Sequence, residues 1–150
     1  MCGNFMSGVL KLSWAEYLDL CDKLCSIIDE RFDNILIIGT GGWIVGKIIN
    51  KKLKLPIFTL ICKSYKERTQ CELRLSRIIP EKELTGDILI VDDLIDTGNT
   101  ILAVIKYLES KFKKIRKIKV AVLLKKIYSN YKPDYYILET DKWVVFPYEN

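Results

Sequence analysis

Three carboxylates, Asp92, Asp93 and Asp96, stand within one short stretch, and the last is followed at once by Thr97-Gly98-Asn99-Thr100. Hydroxyls, a glycine and the unpaired N–H groups of a helix start suit a phosphate, because the glycine lets the ligand reach the main chain. Carboxylates repel phosphate, so Asp92 and Asp93 make chemical sense facing sugar hydroxyls or a divalent cation instead. The simplest alternative is a surface turn with Asp96, Thr97 and Thr100 used as caps. That alternative leaves two acids at the end of an apolar run unexplained.

The elements that must position these groups can be read from the apolar pattern. Ile88 to Val91 is a β-branched run with the character of a strand buried on both faces, and Ile101 to Leu108 continues as a helix. Upstream, Ser13-Trp14-Ala15-Glu16 has the form of a capping box, with Tyr17, Leu18, Cys21, Leu24, Cys25 and Ile28 at helical spacing, so the domain is expected to open with a helix. Ile35 to Gly39 reads as a strand, Thr40-Gly41-Gly42 as a tight loop, and Trp43 to Leu53 as a helix. Further strands are expected at Ile57 to Cys62, Ile118 to Leu124 and Tyr135 to Leu138. Alternation of this kind predicts an α/β fold, a single domain over residues 1–150 with an open, mainly parallel sheet flanked by helices and ligands at the carboxyl ends of the strands. The polar stretch from Lys63 to Gly86 breaks the rhythm and reads as a lid or an exposed hairpin.

Composition narrows the chemistry. The 150 residues contain no histidine, which removes the usual general base and the Ser/His and Cys/His nucleophile systems. Five cysteines without a Cys-x-x-Cys pair argue against structural zinc and for buried thiols. No apolar run is long enough for a membrane span, and the opening residues lack a leader pattern, so a cytoplasmic protein is expected. The formal charge of +5 suits a polyanionic ligand. Its densest source, Lys111 to Lys119, reads as a solvated helix end, with a nucleic-acid patch as the less favoured reading.

Two acids, two apolar residues and Asp-Thr-Gly-x-Thr resemble the signature loop of the purine-type, type I phosphoribosyltransferases, which bind phosphoribosyl pyrophosphate. The resemblance runs from about Ile35 to Glu149 and is closest to the short archaeal and bacterial hypoxanthine, guanine and xanthine enzymes. It implies that Thr97, Gly98, Asn99 and Thr100 hold the 5′-phosphate, Asp92 and Asp93 the ribose diol, and Asp96 the N7 edge of the purine as the proton-transfer group. Thr40-Gly41-Gly42 and Lys63 take the pyrophosphate positions, and Ser64 and Tyr65 begin a flexible hood over the active site. Lys125 falls where the family places the donor to O6 of the base. Trp143 would stack on the purine, and the Val144 backbone would read its remaining edge. Magnesium is implied as cofactor, with Asp92, Asp93 and Glu149 as its side chains.

The resemblance therefore implies purine salvage, in which the phosphoribosyl group passes to hypoxanthine, guanine or xanthine with release of pyrophosphate. A lysine donor favours a carbonyl over an amino group, which cannot accept a hydrogen bond. Adenine is the neighbouring alternative. One departure stands out: the family's first loop carries Arg or Lys before its two glycines, and Thr40 occupies that place. This keeps open a non-catalytic nucleotide-sensing regulator on the same fold. The family further implies a homodimer or homotetramer, with Trp14 and Tyr17 as interface or core residues.

Overall fold

The computed structural model describes residues 8–64 and 73–149, and the side chains of all of these except 62–64 and 73–76. Its elements run β1 (Val9–Lys11), α1 (Trp14–Ile27), β2 (Asn34–Ile38), α2 (Gly42–Leu53), β3 (Ile57–Ser64), β4 (Leu73–Ile79), β5 (Gly86–Ile95), α3 (Asn99–Lys111), β6 (Ile115–Lys126), β7 (Leu138–Thr140) and β8 (Trp143–Val145), closing on a 3₁₀ turn at Pro147–Glu149. The main sheet has the order β4-β3-β2-β5-β6-β7, parallel throughout except for β4.

The continuous apolar strands are explained by burial on both faces. Ile35, Ile37, Leu89, Val91, Ala121 and Leu123 pack with Tyr17, Leu20, Cys21 and Leu24 of α1 and with Val45 and Ile49 of α2. Their neighbours Leu36, Ile38, Ile88, Ile90, Val120 and Val122 point the other way, onto Ile101, Val104 and Leu108 of α3. Each such fully buried side chain contributes about 1.5–3 kcal/mol relative to exposure. The chain winds from β2 outward to β3, then returns to β5 and winds outward to β6 on the opposite side. The carboxyl ends of β2 and β5 therefore flank the point where the winding reverses, the usual ligand crevice of such sheets.

Several expectations are corrected. The helix at Ser13 forms with both halves of its capping box, 3.0 and 3.1 Å, but β1 precedes it. Within it Leu18 is exposed and Leu20 is buried. β5 does not end at Val91 but runs to Ile95, placing Asp92 and Asp93 inside the strand, with Asp92 opposite Val122. Tyr135 touches β6 through a single bridge to Ala121, and the last strand of the sheet begins only at Leu138. The preceding segment is still tied to β6 by its backbone, with the Tyr135 N–H donating to the Val120 carbonyl, the Val122 N–H to the Tyr135 carbonyl and the Ile137 N–H to the Leu123 carbonyl. Side chains add to this: the Asp134 carboxylate accepts from Val120 N–H, and the Tyr135 hydroxyl donates toward Asp29 and Glu30.

The stretch after β3 contains an antiparallel partner strand, β4; the hood residue Tyr65 lies outside the described residues. The basic run is not only a helix end, since residues 115–119 belong to β6. Four of its six cations are matched by acids: Lys114 with Glu83, Arg116 with Asp33 and Asp87, Lys117 with Glu30, and Lys119 with Asp134. Among the described residues no helix is long and apolar enough to cross a membrane.

Candidate active site

The two loops at the winding reversal are packed onto one another through glycines. A Cβ on Gly42 would lie 2.8 Å from the Val91 carbonyl, and one on Gly41 would lie 2.6 Å from the Asp93 carboxylate. Thr40-Gly41-Gly42 can therefore sit directly against β5 only because two of its residues have no side chain. Thr40 is exposed and shares a pocket of about 540 Å³ with Trp43, Lys47, Thr59 and Ile79, where the Lys47 ammonium lies 5.2 Å from the Trp43 ring centre. Lys63 and Ser64 end β3, and their side chains lie outside the described ones.

Asp92 and Asp93 form an interacting pair. Asp92 accepts from the Asp93 N–H at 2.8 Å, and burial together with the Asp93 charge holds the Asp92 carboxyl well above the usual carboxylate range. Asp93 accepts a short hydrogen bond from the Tyr148 hydroxyl. Tyr148 stacks on Phe146 and lies edge-on to Tyr17, and burial plus the Asp93 charge push its phenol far up. Asp93 thus joins the first loop, β5 and the carboxyl-terminal turn.

The next loop is more open. Asp92, Asp96, Thr97, Gly98 and Thr100 line a small pocket of about 120 Å³ at the start of α3. Gly98 has φ +96°, a left-handed value that favours glycine, and as the N-cap of α3 it offers no side chain to the helix's first N–H groups. The arrangement has the geometry of an anion cradle, with Asn99 at the first helical position and its N–H bonded to Thr97 Oγ1 at 3.2 Å. Asp96 is exposed, and its Oδ1 accepts from the Tyr128 hydroxyl at 2.5 Å.

At the neighbouring strand end two adjacent lysines are used differently. Register pairs Ile95, the last residue of β5, with Lys125, and Lys126 follows as the last residue of β6. Lys125 is buried, with its ammonium 3.2 Å from the Lys126 carbonyl and 3.7 Å from the Glu139 carboxylate. Lys126 is also buried, but its ammonium donates to the Lys142 carbonyl, next to Trp143. The geometry groups Lys126, rather than Lys125, with Trp143.

Trp143 is half-exposed in β8, which pairs in parallel with β1. The Trp143 N–H donates to Gly8 and the Val145 carbonyl accepts from Leu12. Alternate residues of a parallel strand face its partner, so the backbone of Val144 is turned away from β1 and toward the open side. Glu149 is not gathered with the acid pair: its carboxylate accepts from Phe146 N–H at 2.8 Å within its own turn. Among the described residues, no three acidic or thiol side chains are close enough to form a metal cage. Sequence reasoning missed Lys126, Tyr128 and Tyr148, whose partners become visible only in three dimensions.

Comparison with known proteins agrees with this geometry. Residues 13–149 match the phosphoribosyl transferase domain family. A xanthine-guanine phosphoribosyltransferase of Chromohalobacter salexigens is 32% identical over 145 residues, covering 92% of this chain and 82% of that protein. The crystal structure of a purine phosphoribosyltransferase from Pyrococcus horikoshii superposes with TM-score 0.83 at 28% identity, covering 95% of both chains. The Helicobacter pylori xanthine-guanine-hypoxanthine phosphoribosyltransferase shares the fold, with TM-score 0.82 at 23% identity over 94% of each chain. A parallel sheet with an anion cradle and an acid pair at its winding reversal, matched over nearly its whole length by this family, makes the chain an enzyme of the type I purine phosphoribosyltransferases.

Proposed function

We propose that the enzyme transfers the phosphoribosyl group from phosphoribosyl pyrophosphate to a 6-oxopurine, hypoxanthine or guanine, with xanthine as a third substrate. The observation that carries this choice is the buried Lys126 ammonium, which donates to the carbonyl of Lys142, the residue before Trp143. An ammonium has three donors and no acceptor, so it matches O6 of an oxopurine and rejects the amino group of adenine. Lys126 replaces Lys125 in this role, because Lys125 is turned to Glu139. The name of the Chromohalobacter relative supports the same substrate class.

In this reading the purine stacks on Trp143, a contact of about 1–3 kcal/mol by analogy with base stacking on aromatic side chains. The backbone of Val144 reads its second edge. Thr97, Gly98, Asn99 and Thr100 hold the 5′-phosphate, while Asp92 and Asp93 hold the ribose diol. The bond from C1′ to the pyrophosphate oxygen breaks, a purine ring nitrogen bonds to C1′, and the proton lost by the base passes toward Asp96. Pyrophosphate leaves past the amides of Gly41 and Gly42, with Lys47 or Lys63 supplying the cation that Thr40 lacks.

Magnesium fits the donor set: two hard carboxylates lie together, and burial with the Asp93 charge raises the Asp92 carboxyl above its usual range, a cost that a cation relieves. Asp92 and Asp93 would hold it, and when bound it neutralises the leaving pyrophosphate. Glu149 is tied to its own turn and is dropped from that set. A regulator that binds nucleic acid through the basic run is disfavoured by the ion pairs along it. We further infer a homodimer or homotetramer, supported by the exposed apolar surface of Trp43 and Ile79 beside the first loop. The test is a parallel assay of hypoxanthine, guanine, xanthine and adenine with phosphoribosyl pyrophosphate, with and without magnesium. Magnesium-dependent nucleotide from the oxopurines is expected; nucleotide from adenine alone, or from no base, overturns the proposal.

A further inference from the structure

We propose that Tyr128 is a positioning residue for the proton-accepting carboxylate: its hydroxyl engages Oδ1 of Asp96 so that Oδ2 is presented to the purine. The inference rests on the reading of Asp96 given above and deepens it.

Tyr128 lies in the turn that leaves β6, two residues after Lys126. That turn is fastened at three places. Ser129 N–H returns to the Lys126 carbonyl at 3.1 Å and Ile127 N–H reaches the Thr140 carbonyl at 3.2 Å. Asn130 N–H donates to the Thr97 carbonyl at 2.8 Å, and its side-chain amide to Asn99 Oδ1 at 3.2 Å. The turn is pressed so closely on the phosphate cradle that a Cβ on Gly98 would collide with Asn130 Oδ1 and lie 2.9 Å from Tyr131 Cβ. One short segment thus touches the Lys126 backbone, the acid and the cradle.

The chemistry requires such a fastening. Asp96 follows the last residue of β5 and is exposed, so its carboxylate would otherwise sample several rotamers at the loop tip. A donor with a fixed base can select one of them, and a phenol serves because it can donate while its ring stays in place. The hydrogen bond to Asp96 pushes the Tyr128 phenol up to about 12, so it remains a donor across the working range. Small misplacement of a reacting group is costly, since productive proton transfer needs hydrogen-bond reach.

The experiment compares the wild type, Tyr128→Phe, Asp96→Asn and the double variant by steady-state kinetics on the oxopurine that gives nucleotide, with melting curves to confirm folding. Tyr128→Phe removes one exposed hydroxyl, and kcat is expected to fall about tenfold, the size of one hydrogen bond to a charged group, with the KM for phosphoribosyl pyrophosphate unchanged. In the Asp96→Asn background the same change should have no further effect. Unchanged or faster turnover of Tyr128→Phe, or an equal loss in both backgrounds, would falsify the positioning role. If Asp96→Asn itself turns over like the wild type, the failure lies in the reading of Asp96, and the positioning role falls with it.

Discussion

Asp93 and Asp96 are three residues apart, and each accepts a hydroxyl from a tyrosine distant in sequence, yet they live in different surroundings. Asp93 is enclosed by Gly41, Tyr148 and the ring cluster of Tyr17 and Phe146. Asp96 stands in the open on a loop, held by one exposed phenol. The same contact therefore does different work. Around Asp93 it locks loop, strand and terminus together; around Asp96 it leaves a carboxylate free to meet a substrate. In the proposed reaction, which binds a polyanion and then moves a proton, the rigid acid suits the first task and the accessible one the second.

The contrast can be broken at four points. Asp96→Asn should lower kcat by about 10²–10⁴-fold, the usual contribution of a positioned acid or base, while its melting temperature stays at the wild-type value. A large loss of stability in that variant would erase the distinction between the two aspartates. Tyr148→Phe should do the reverse, costing about 1–3 kcal/mol in denaturant unfolding because a half-buried carboxylate loses its donor.

Asp92→Asn sharpens the comparison through pH. The raised folded-state position of Asp92 means that the folded, metal-free protein binds a proton more tightly than the unfolded chain does. Stability from this group is thus fully present in acid and is lost as pH rises from the unfolded carboxylate range through the raised folded one. The variant should melt higher than the wild type at neutral pH in the presence of a chelator and at the same temperature in acid. An equal difference at both would show that the acid pair does not titrate as described. Tyr17→Phe should have the smallest effect, within experimental scatter of the wild-type melting temperature, because its buried hydroxyl has only the Cys21 thiol and the Val45 backbone beside it, at geometry too poor for a full hydrogen bond. A clear loss there would mean that the cluster around Asp93 depends on these weak contacts.

Legibility in the sequence followed locality. The cradle from Asp92 to Thr100 is contiguous, and its glycine and helix start are legible in nearby residues, but the strand runs four residues beyond its apolar stretch, to Ile95, which the acids at 92 and 93 conceal. The choice between Lys125 and Lys126 is not legible in this way. Adjacent strand residues point to opposite faces, but β6 is buried on both, so apolar alternation offers no signal, and only the partners met in the fold, Lys142 for Lys126 and Glu139 for Lys125, set the two apart. The tyrosines on Asp93 and Asp96 come from 55 and 32 residues away, distances that no periodic pattern encodes. The pairing of β1 with β8 was illegible for a related reason, since three-residue strands have no period to detect.

That small parallel pair has a consequence for how the enzyme comes into being. Val9 to Lys11 must wait for Trp143 to Val145 before their ladder can close. During synthesis the segments from β2 through α3 are all available earlier, so the cradle from Asp92 to Thr100 can assemble on the growing chain while β8 does not yet exist. The order of manufacture then runs across the molecule: the cradle first, the strand that carries Trp143 last.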